Sequence, residues 1–164
     1  MFGNSVDTCF GLRKGINSPT TNILPTMEIN NNCLEQLLEE AAQSPRLRQS
    51  QDMRTAPTDG SQRMLNALMP GTQVPIHRHP LTSETVICLS GKLDEVIFEE
   101  TTDAEGNSQL RETTRIRLCP NEGNYGCQVP QGAWHKVEVY EPSIIFEAKD
   151  GPYAPAAPED IRNL

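Results

Sequence analysis

The pattern of hydrophobic and polar residues divides the chain into an irregular beginning, one helix and a long region of strands. Residues 1–26 are rich in Gly, Asn, Ser, Thr and Pro and show little periodicity. Apolar residues then recur at helical spacing over residues 31–43, and Asn30 or Asn31 supplies a polar cap for the first turn. Pro45 disfavours helical backbone in the residue before it, so the helix is predicted to end there.

After the helix, a polar loop is predicted over residues 46–60, and the remaining chain follows a period of two. Such alternation is typical of strands with one buried face. Strands are predicted near residues 62–69, 73–77, 84–89, 93–100, 109–118, 125–129, 135–140 and 144–149. Eight short strands separated by turns predict a mostly β fold, a double-sheet jelly-roll barrel preceded by a short N-terminal helix.

This pattern also predicts the organisation of the chain. We expect an irregular N-terminal extension over residues 1–28, the helix and polar loop over residues 29–60, and the β-barrel with its C-terminal tail over residues 61–164. A chain of 164 residues forms one domain of ordinary size, which can bury a core without help from disulfides.

Composition limits the kinds of binding partner and the cellular compartment that we expect for this chain. The net charge is -8, and no basic cluster interrupts it, which argues against nucleic acid or an anionic membrane surface as a partner. Five scattered cysteines without C-x-x-C spacing indicate reduced thiols in a cytosolic protein. No signal-peptide pattern and no apolar run of transmembrane length is present, so a cytoplasmic location is expected.

All three histidines lie in two short segments of the chain. His77 and His79 are two residues apart at the end of a predicted strand, where side chains at this spacing share one face. Glu84 begins the next predicted strand after a short turn, and His135 begins a later one. Three imidazole nitrogens and one carboxylate oxygen suit Fe, Mn, Zn, Ni, Co or Cu better than Ca or Mg. The sequence therefore predicts one site for a divalent transition-metal ion.

The spacing of these residues resembles the motifs of the cupin superfamily. The first cupin motif is reproduced by Gly71, His77, His79, Glu84 and Gly91, and the core of the second by Pro130, Gly132 and His135. Val139 stands where the second motif usually has Asn, and the leading Gly of that motif is displaced. Neither departure involves a predicted ligand. The resemblance implies a double-stranded β-helix barrel with a metal ion held inside it.

Further segments are similar to the WbuC-type cupin metalloproteins. They are residues 44–48, 62–68, 77–80 and 151–155, and the similarity extends over about residues 29–155. Residues 52–54 depart from the pattern of that family. The resemblance implies an association with bacterial surface-polysaccharide biosynthesis, and hence a small-molecule substrate of the sugar or sugar-nucleotide kind.

Four further residues are candidates for the substrate pocket, each with an alternative interpretation. Arg46 and Arg48 either reach the mouth of the barrel and bind an anionic or polyol substrate, or form a solvated cation pair after the helix. Asn66 faces either the pocket or the outside, because both faces of its strand are largely apolar. Tyr153 either covers the site or belongs to a rigid tail. The catalytic residues are not identified.

Two classes of function remain open at this point. In the first, an octahedral ion with two free positions supports an isomerase, lyase or dioxygenase reaction on a small polar substrate. In the second, the metal has a structural role or assists binding of a small ligand without turnover, as a closed tetrahedral zinc ion would. Exposed strand edges and the extension over residues 1–26 lead us to expect a homodimer.

Overall fold

The computed structural model describes residues 26–162 of the chain. One helix, α1 (Asn31–Gln43), precedes eight strands. The strands are β1 (Arg48–Asp52), β2 (Ser61–Leu68), β3 (Ile76–His77), β4 (Glu84–Thr102), β5 (Ser108–Leu118), β6 (Gly126–Val129), β7 (Trp134–Asp150) and β8 (Ile161–Arg162). Within these described residues, no helix is long and apolar enough to cross a membrane.

The helix begins and ends as its sequence predicts. The Asn30 side chain accepts a hydrogen bond from the backbone N–H of Cys33 at 3.1 Å, which satisfies one donor of the first turn. The apolar face of α1 is buried against the outer surface of β2 and β7. That cluster has a fully buried centre formed by Leu37, Ala41, Leu65, Ala67 and Ile144.

The two longest strands of the barrel, β4 and β7, pair with each other. The sequence predicts two separate strands in each of these regions, and this prediction is wrong, because the breaks are bulges rather than loops. Gly91 lies at the bulge of β4 with φ of 88°. A Cβ at this position would lie 2.3 Å from the carbonyl oxygen of Pro142, so only glycine permits this close approach.

The remaining differences from the prediction all concern strand pairing. The loop predicted over residues 46–60 contains β1, an edge strand that pairs with β2 along its whole length. The strand predicted over residues 73–77 is reduced to β3, and the C-terminal tail supplies β8, which pairs with it. Neither strand shows alternating apolar and polar residues, since β1 is polar throughout and β8 has only two residues. Each is a strand because it finds a backbone partner elsewhere in the chain.

All strand pairs are antiparallel, and the sheet closes around an apolar cluster inside the barrel. This cluster consists of Leu68, Val86, Cys88, Leu93, Leu118, Val129 and Ile145. The fold is mostly β, a jelly-roll barrel with a short N-terminal helix, and the predicted fold class is confirmed. The two faces of β2 are therefore both apolar, since one lines the barrel and the other lies under α1.

The cysteines do not share one redox state. Cys33 is disulfide-bonded, whereas Cys88, Cys119 and Cys127 are free. The prediction of reduced thiols is therefore wrong for Cys33, and it no longer supports a cytoplasmic location. Burial raises the pKa of the Cys88 thiol to about 11, so this residue acts as a small apolar side chain of the barrel interior.

Replacing Leu37 by alanine tests the packing of α1. Because Leu37 is almost completely buried against β2, we expect the free energy of unfolding to fall by about 2–5 kcal/mol. Urea unfolding measures this change. Leu81→Ala is the matched control, since Leu81 is 83% exposed and should change stability by less than about 0.5 kcal/mol. Equal effects of the two substitutions would contradict the assigned packing of the helix.

Candidate metal centre

The four predicted ligands come together from three strands and one turn. His77 ends β3 and lies directly opposite His135 of β7, and Glu84 is the first residue of β4. His79 lies in the turn between β3 and β4. One ligand atom from each of the four residues lies within 4.8 Å of the others. The Oε2 atom of Glu84 is 3.2 Å from Nε2 of His79 and 3.3 Å from Nε2 of His135.

The backbone orients two of the imidazole rings. Nδ1 of His77 lies 3.1 Å from the carbonyl oxygen of Pro75, and Nδ1 of His135 lies 3.0 Å from that of Ala133. In each case an N–H at Nδ1 donates to the carbonyl two residues earlier. Nε2 of each ring then faces the centre of the cluster, where it carries a proton in the imidazolium form and presents its lone pair to a metal in the neutral form.

His79 has a different neighbour. Nζ of Lys149 lies 3.1 Å from Nδ1 of His79, so the ammonium group donates to this nitrogen. The ring proton of His79 is then on Nε2, where it faces the carboxylate of Glu84. Binding of a metal at this nitrogen therefore requires the other tautomer, with the proton on Nδ1, and the Lys149 ammonium group must then move away from Nδ1.

Electrostatics favours the protonation states that a metal requires. Burial lowers the pKa of His77 to about 4, and the nearby charge of His135 acts in the same direction. Burial alone would raise the pKa of Glu84, but hydrogen bonds from His135 and His79 outweigh it and hold that pKa below its ordinary value. Near neutral pH His77 is a neutral donor and Glu84 an anionic one. This N₃O set fits a divalent transition-metal ion.

The cluster forms part of the wall of a cavity of about 300 Å³ inside the barrel. Inward-facing residues of β2, β4 and β7 line most of this cavity, and residues 153–156 of the C-terminal tail line its mouth. Because the four candidate ligands border this space, one side of the cluster remains accessible to water or to a small molecule.

The two arginines proposed for the pocket separate in the structure. Arg48 lines the cavity, and its Nη1 donates to the carbonyl oxygen of Gln73 at 2.5 Å and to Oγ1 of Thr72 at 3.4 Å. Arg46 is not among the described residues that line it. Between them Leu47 has φ of 55°, a left-handed conformation that is rare for leucine and turns the chain at this point.

Asn66 and Tyr153 both line the cavity. Asn66 lies on the inner face of β2 together with Met64 and Leu68, and its Nδ2 donates to Oε2 of Glu147 at 2.8 Å. Tyr153 is half-exposed at the mouth, where the guanidinium of Arg54 lies 5.5 Å from the centre of its ring. Of the two orientations considered for Asn66, towards the pocket or towards the outside, the structure has the one towards the pocket.

Several polar residues of the cavity were not identified from the sequence. They are Ser50, Gln62, Glu95, Glu147 and Lys149. Glu147 and Lys149 have the same parity on β7 as the buried residue Ile145, so each is a charged side chain at an inward position. That mismatch between parity and polarity was the signal available in the sequence. It was ambiguous because Ile144, Ile145 and Phe146 are all apolar, so both faces of the strand predicted over residues 144–149 looked buried.

Sequence comparison identifies a family. Residues 29–110 match the family described as "Domain of unknown function (DUF6016)". The chain belongs to the DUF6016 family. The matched half of the chain includes three of the four candidate ligands, His77, His79 and Glu84, whereas His135 lies beyond it. Among curated proteins, no sequence match is found.

Solved structures with a similar chain path have low sequence identity. KdgF from Halomonas sp. is 15% identical with a TM-score of 0.47, over 67% of this chain and 84% of that one. The capsular polysaccharide assembling protein CapF from Staphylococcus aureus is 18% identical with a TM-score of 0.49, over 74% of this chain and 32% of that one. A recombinant oxalate oxidase in complex with glycolate is 17% identical with a TM-score of 0.44, over 69% and 55%.

At this level of similarity the neighbours carry no argument about substrate or reaction. The jelly-roll barrel of this DUF6016 protein and its three-histidine, one-glutamate cluster support the resemblance to the cupin superfamily. The cluster could hold a metal ion, as the cupin resemblance implies.

Metal content tests the candidate centre. We expect about one equivalent of a divalent transition metal in the purified protein, because a preformed N₃O set binds such ions tightly. His77→Ala and Glu84→Ala should each lower the affinity at least tenfold, to the point where the metal is lost on dialysis. Mass spectrometry of the bound metals is the measurement. Glu141→Ala, an exposed carboxylate of β7, is the control and should keep the metal. A wild-type protein that takes up no metal after reconstitution would rule out the centre.

Proposed function

We propose that this cupin is a metal-dependent enzyme that acts on a small polar substrate of the sugar or sugar-nucleotide type. The observation that carries the proposal is the position of the candidate ligands in the wall of a cavity of about 300 Å³. A purely structural metal is typically enclosed by its protein ligands, whereas a catalytic one keeps a position open to a second molecule.

The size and lining of the cavity support a small polar substrate. Its volume is at the lower end of the range for ligand pockets, roughly 300–1,000 Å³, which suits a molecule of about monosaccharide size. Arg48, Gln62, Asn66 and Lys149 supply hydrogen-bond donors that match hydroxyl and carboxylate oxygens. A larger substituent such as a nucleotide would extend through the mouth beside Tyr153.

The chemistry of the proposed reaction follows from the donor set. His77, His79, Glu84 and His135 would hold the ion, which would supply Lewis-acid polarisation of a substrate oxygen. Arg48 binds an anionic or hydroxyl-rich part of the substrate, and the apolar side chains of Val74, Val137 and Ile145 exclude water from its other faces. Isomerase, lyase and dioxygenase reactions are the classes that such a site supports.

The proposed pathway rests on the WbuC-type resemblance. We propose that the substrate belongs to bacterial surface-polysaccharide biosynthesis, because all four segments similar to that family contribute to the cavity. Arg48, Asn66, His77 and Tyr153 are one contributing residue from each. A non-catalytic cupin that binds a small ligand, or that uses the metal for stability, is the alternative that experiment has to exclude.

Water-proton relaxation of the Mn²⁺-loaded protein tests for an open site. We expect a high relaxivity, as for a bound Mn²⁺ ion with exchangeable water. The relaxivity should decrease when D-glucuronate or UDP-glucose is added as a probe, because the probe displaces that water. Arg48→Ala should weaken probe binding about tenfold, since a charge-assisted hydrogen bond contributes roughly 1.5–3 kcal/mol. Arg46→Ala, outside the cavity lining, is the matched control and should bind like the wild type. A relaxivity without exchangeable water would indicate a closed, structural site and contradict the proposal.

We also propose that the protein is a homodimer, with no nucleic acid or membrane as a partner. Strands β1 and β5 support this, since each pairs on one side only within the described residues and leaves an edge that a second chain can cover. Light scattering of the chain in solution should give twice the mass of one chain. A single-chain mass over the whole concentration range would show a monomer.

A further inference from the structure

Glu147 faces the cavity and is not one of the candidate metal ligands. On the ladder between β4 and β7, Glu84 pairs with Lys149, and Val86 pairs with Glu147. Glu147 is therefore the diagonal neighbour of Glu84 on the inner face of the sheet. Such neighbours are roughly 7–8 Å apart, which leaves room for one small molecule to contact both the metal cluster and this carboxyl group.

A chain of two hydrogen bonds orients the Glu147 carboxyl group. Oγ of Ser50 donates to Oδ1 of Asn66 at 2.5 Å, which turns the amide NH₂ group of Asn66 away from β1. Nδ2 of Asn66 then donates to Oε2 of Glu147 at 2.8 Å. The Asn66 bond thus holds only one oxygen of this carboxyl group, and Glu147 is among the residues that line the cavity. The geometry presents the second oxygen to a molecule bound there.

Two other carboxyl groups of the barrel show what is unusual about Glu147. Asp94 is fully buried and receives hydrogen bonds from Arg115, Arg117 and Tyr140, which compensate its charge as a structural ion pair. Glu95 is also buried, and its Oε1 has no hydrogen-bond partner within residues 26–162. Burial acts to raise the pKa of both groups, but for Asp94 the hydrogen bonds from Arg117, Tyr140 and Arg115 outweigh it and lower the pKa, whereas for Glu95 nothing does and the pKa is raised.

Glu147 lies between these two extremes. Burial raises its pKa to about 8, and the charge of Glu84 adds to this, whereas Lys149 and the Asn66 hydrogen bond act in the opposite direction. The other charged or titratable groups of the same cavity are Arg48, His77, His79, His135, Glu95 and Tyr153. Neutralisation of Glu84 by coordination would bring the pKa of Glu147 closer to neutral pH. A general base is most effective with a pKa near the working pH.

We propose that Glu147 transfers a proton to and from the substrate, with Asn66 as its positioning residue, and that the substrate is a small hydroxy-carbonyl compound. This inference rests on the proposed enzymatic function and selects isomerisation by proton transfer among its reaction classes. The hydroxyl groups of the substrate match the polar side chains that line the cavity. The carbonyl group is required by the reaction, because it acidifies the adjacent C–H bond.

The proposed step conserves atoms and electrons. The carboxylate of Glu147 forms an O–H bond as the C–H bond next to the substrate carbonyl breaks. The electron pair of that bond becomes the C=C bond of an enediolate, and the π pair of the carbonyl moves to its oxygen. Glu147 then returns the proton to the former carbonyl carbon, while a hydroxyl proton passes between the two oxygens. The product is an isomer, and no oxidant or reductant is consumed.

Deuterium exchange in D₂O tests the proposal on the metal-loaded, full-length protein. D-Glucose, D-fructose and D-glucuronate are the probes, and proton NMR follows exchange at the carbon next to the carbonyl. Glu147→Gln should lower the exchange rate at least 100-fold, because a positioned general base contributes about 10²–10⁴-fold. Glu141→Gln makes the same change at an exposed position of β7 and should exchange like the wild type. Metal content, measured on every variant, should be unchanged.

Two further measurements separate a proton-transfer role from a structural one. Infrared titration should show a carboxylic acid C=O band near neutral pH that is absent in Glu147→Gln, a result independent of turnover. Asn66→Ala removes the hydrogen bond to the anion, so both this band and the pH profile of exchange should shift to higher pH.

The possible failures are distinguishable. Exchange by the wild type that continues unchanged in Glu147→Gln would overturn the role of Glu147 and leave the proposed function intact. A metal-loaded wild-type protein that exchanges none of the probes would overturn the proton-transfer reaction. A site without exchangeable water would overturn the enzymatic function and this inference together.

Discussion

The antiparallel pairing of β4 and β7 determines where most of the ionisable groups inside the barrel lie. This ladder extends from Glu84 opposite Lys149 to Phe98 opposite Trp134, and it includes His135 opposite Ile97. Two candidate ligands, Glu84 and His135, and two further glutamates, Glu95 and Glu147, are thus placed by the backbone hydrogen bonds of this one ladder. Because side chains alternate between the faces of a strand, a shift of one residue in this register would turn them all out of the barrel. The bulges around Gly91 let both strands bend and shift their pairing by one residue, from Cys88 opposite Ile145 to Leu93 opposite Val139.

Burial of charge is the main cost of this arrangement. Glu84, Glu95, Glu147 and Lys149 all face one cavity, and an ionisable group removed from water destabilises the fold unless it is paired. Elsewhere in the barrel the chain meets this requirement, as the ion pairs of Asp94 show. In the cavity it meets the requirement only in part, since burial leaves the pKa of Glu95 well above its ordinary value. Departures of this kind from good packing are characteristic of functional sites.

The C-terminal tail completes the support of the histidine-bearing strand. β3 has only two residues, and it pairs with β7 on one side and with β8 on the other. Arg78, between His77 and His79, donates to Asp160 at 2.7 Å, and the Trp134 ring lies 4.6 Å from the guanidinium groups of both Arg78 and Arg162. These contacts lie on the opposite side of β3 from the ligands. They hold a strand that is too short to keep its position by its own hydrogen bonds.

The sequence by itself determined the features that depend on local spacing. Helix α1, its Asn30 cap and the mostly β class follow from periodicity, and the four candidate ligands follow from the intervals within two short segments. Only the tertiary structure decided the pairing of β1 and β8, the fusion of four predicted strands into two, the separation of Arg48 from Arg46, and the inward position of Glu147. The physical reason is that each of these depends on hydrogen bonds or packing between residues far apart in the chain. Glu147 meets Asn66 across 81 positions of sequence, and no local pattern records such a contact.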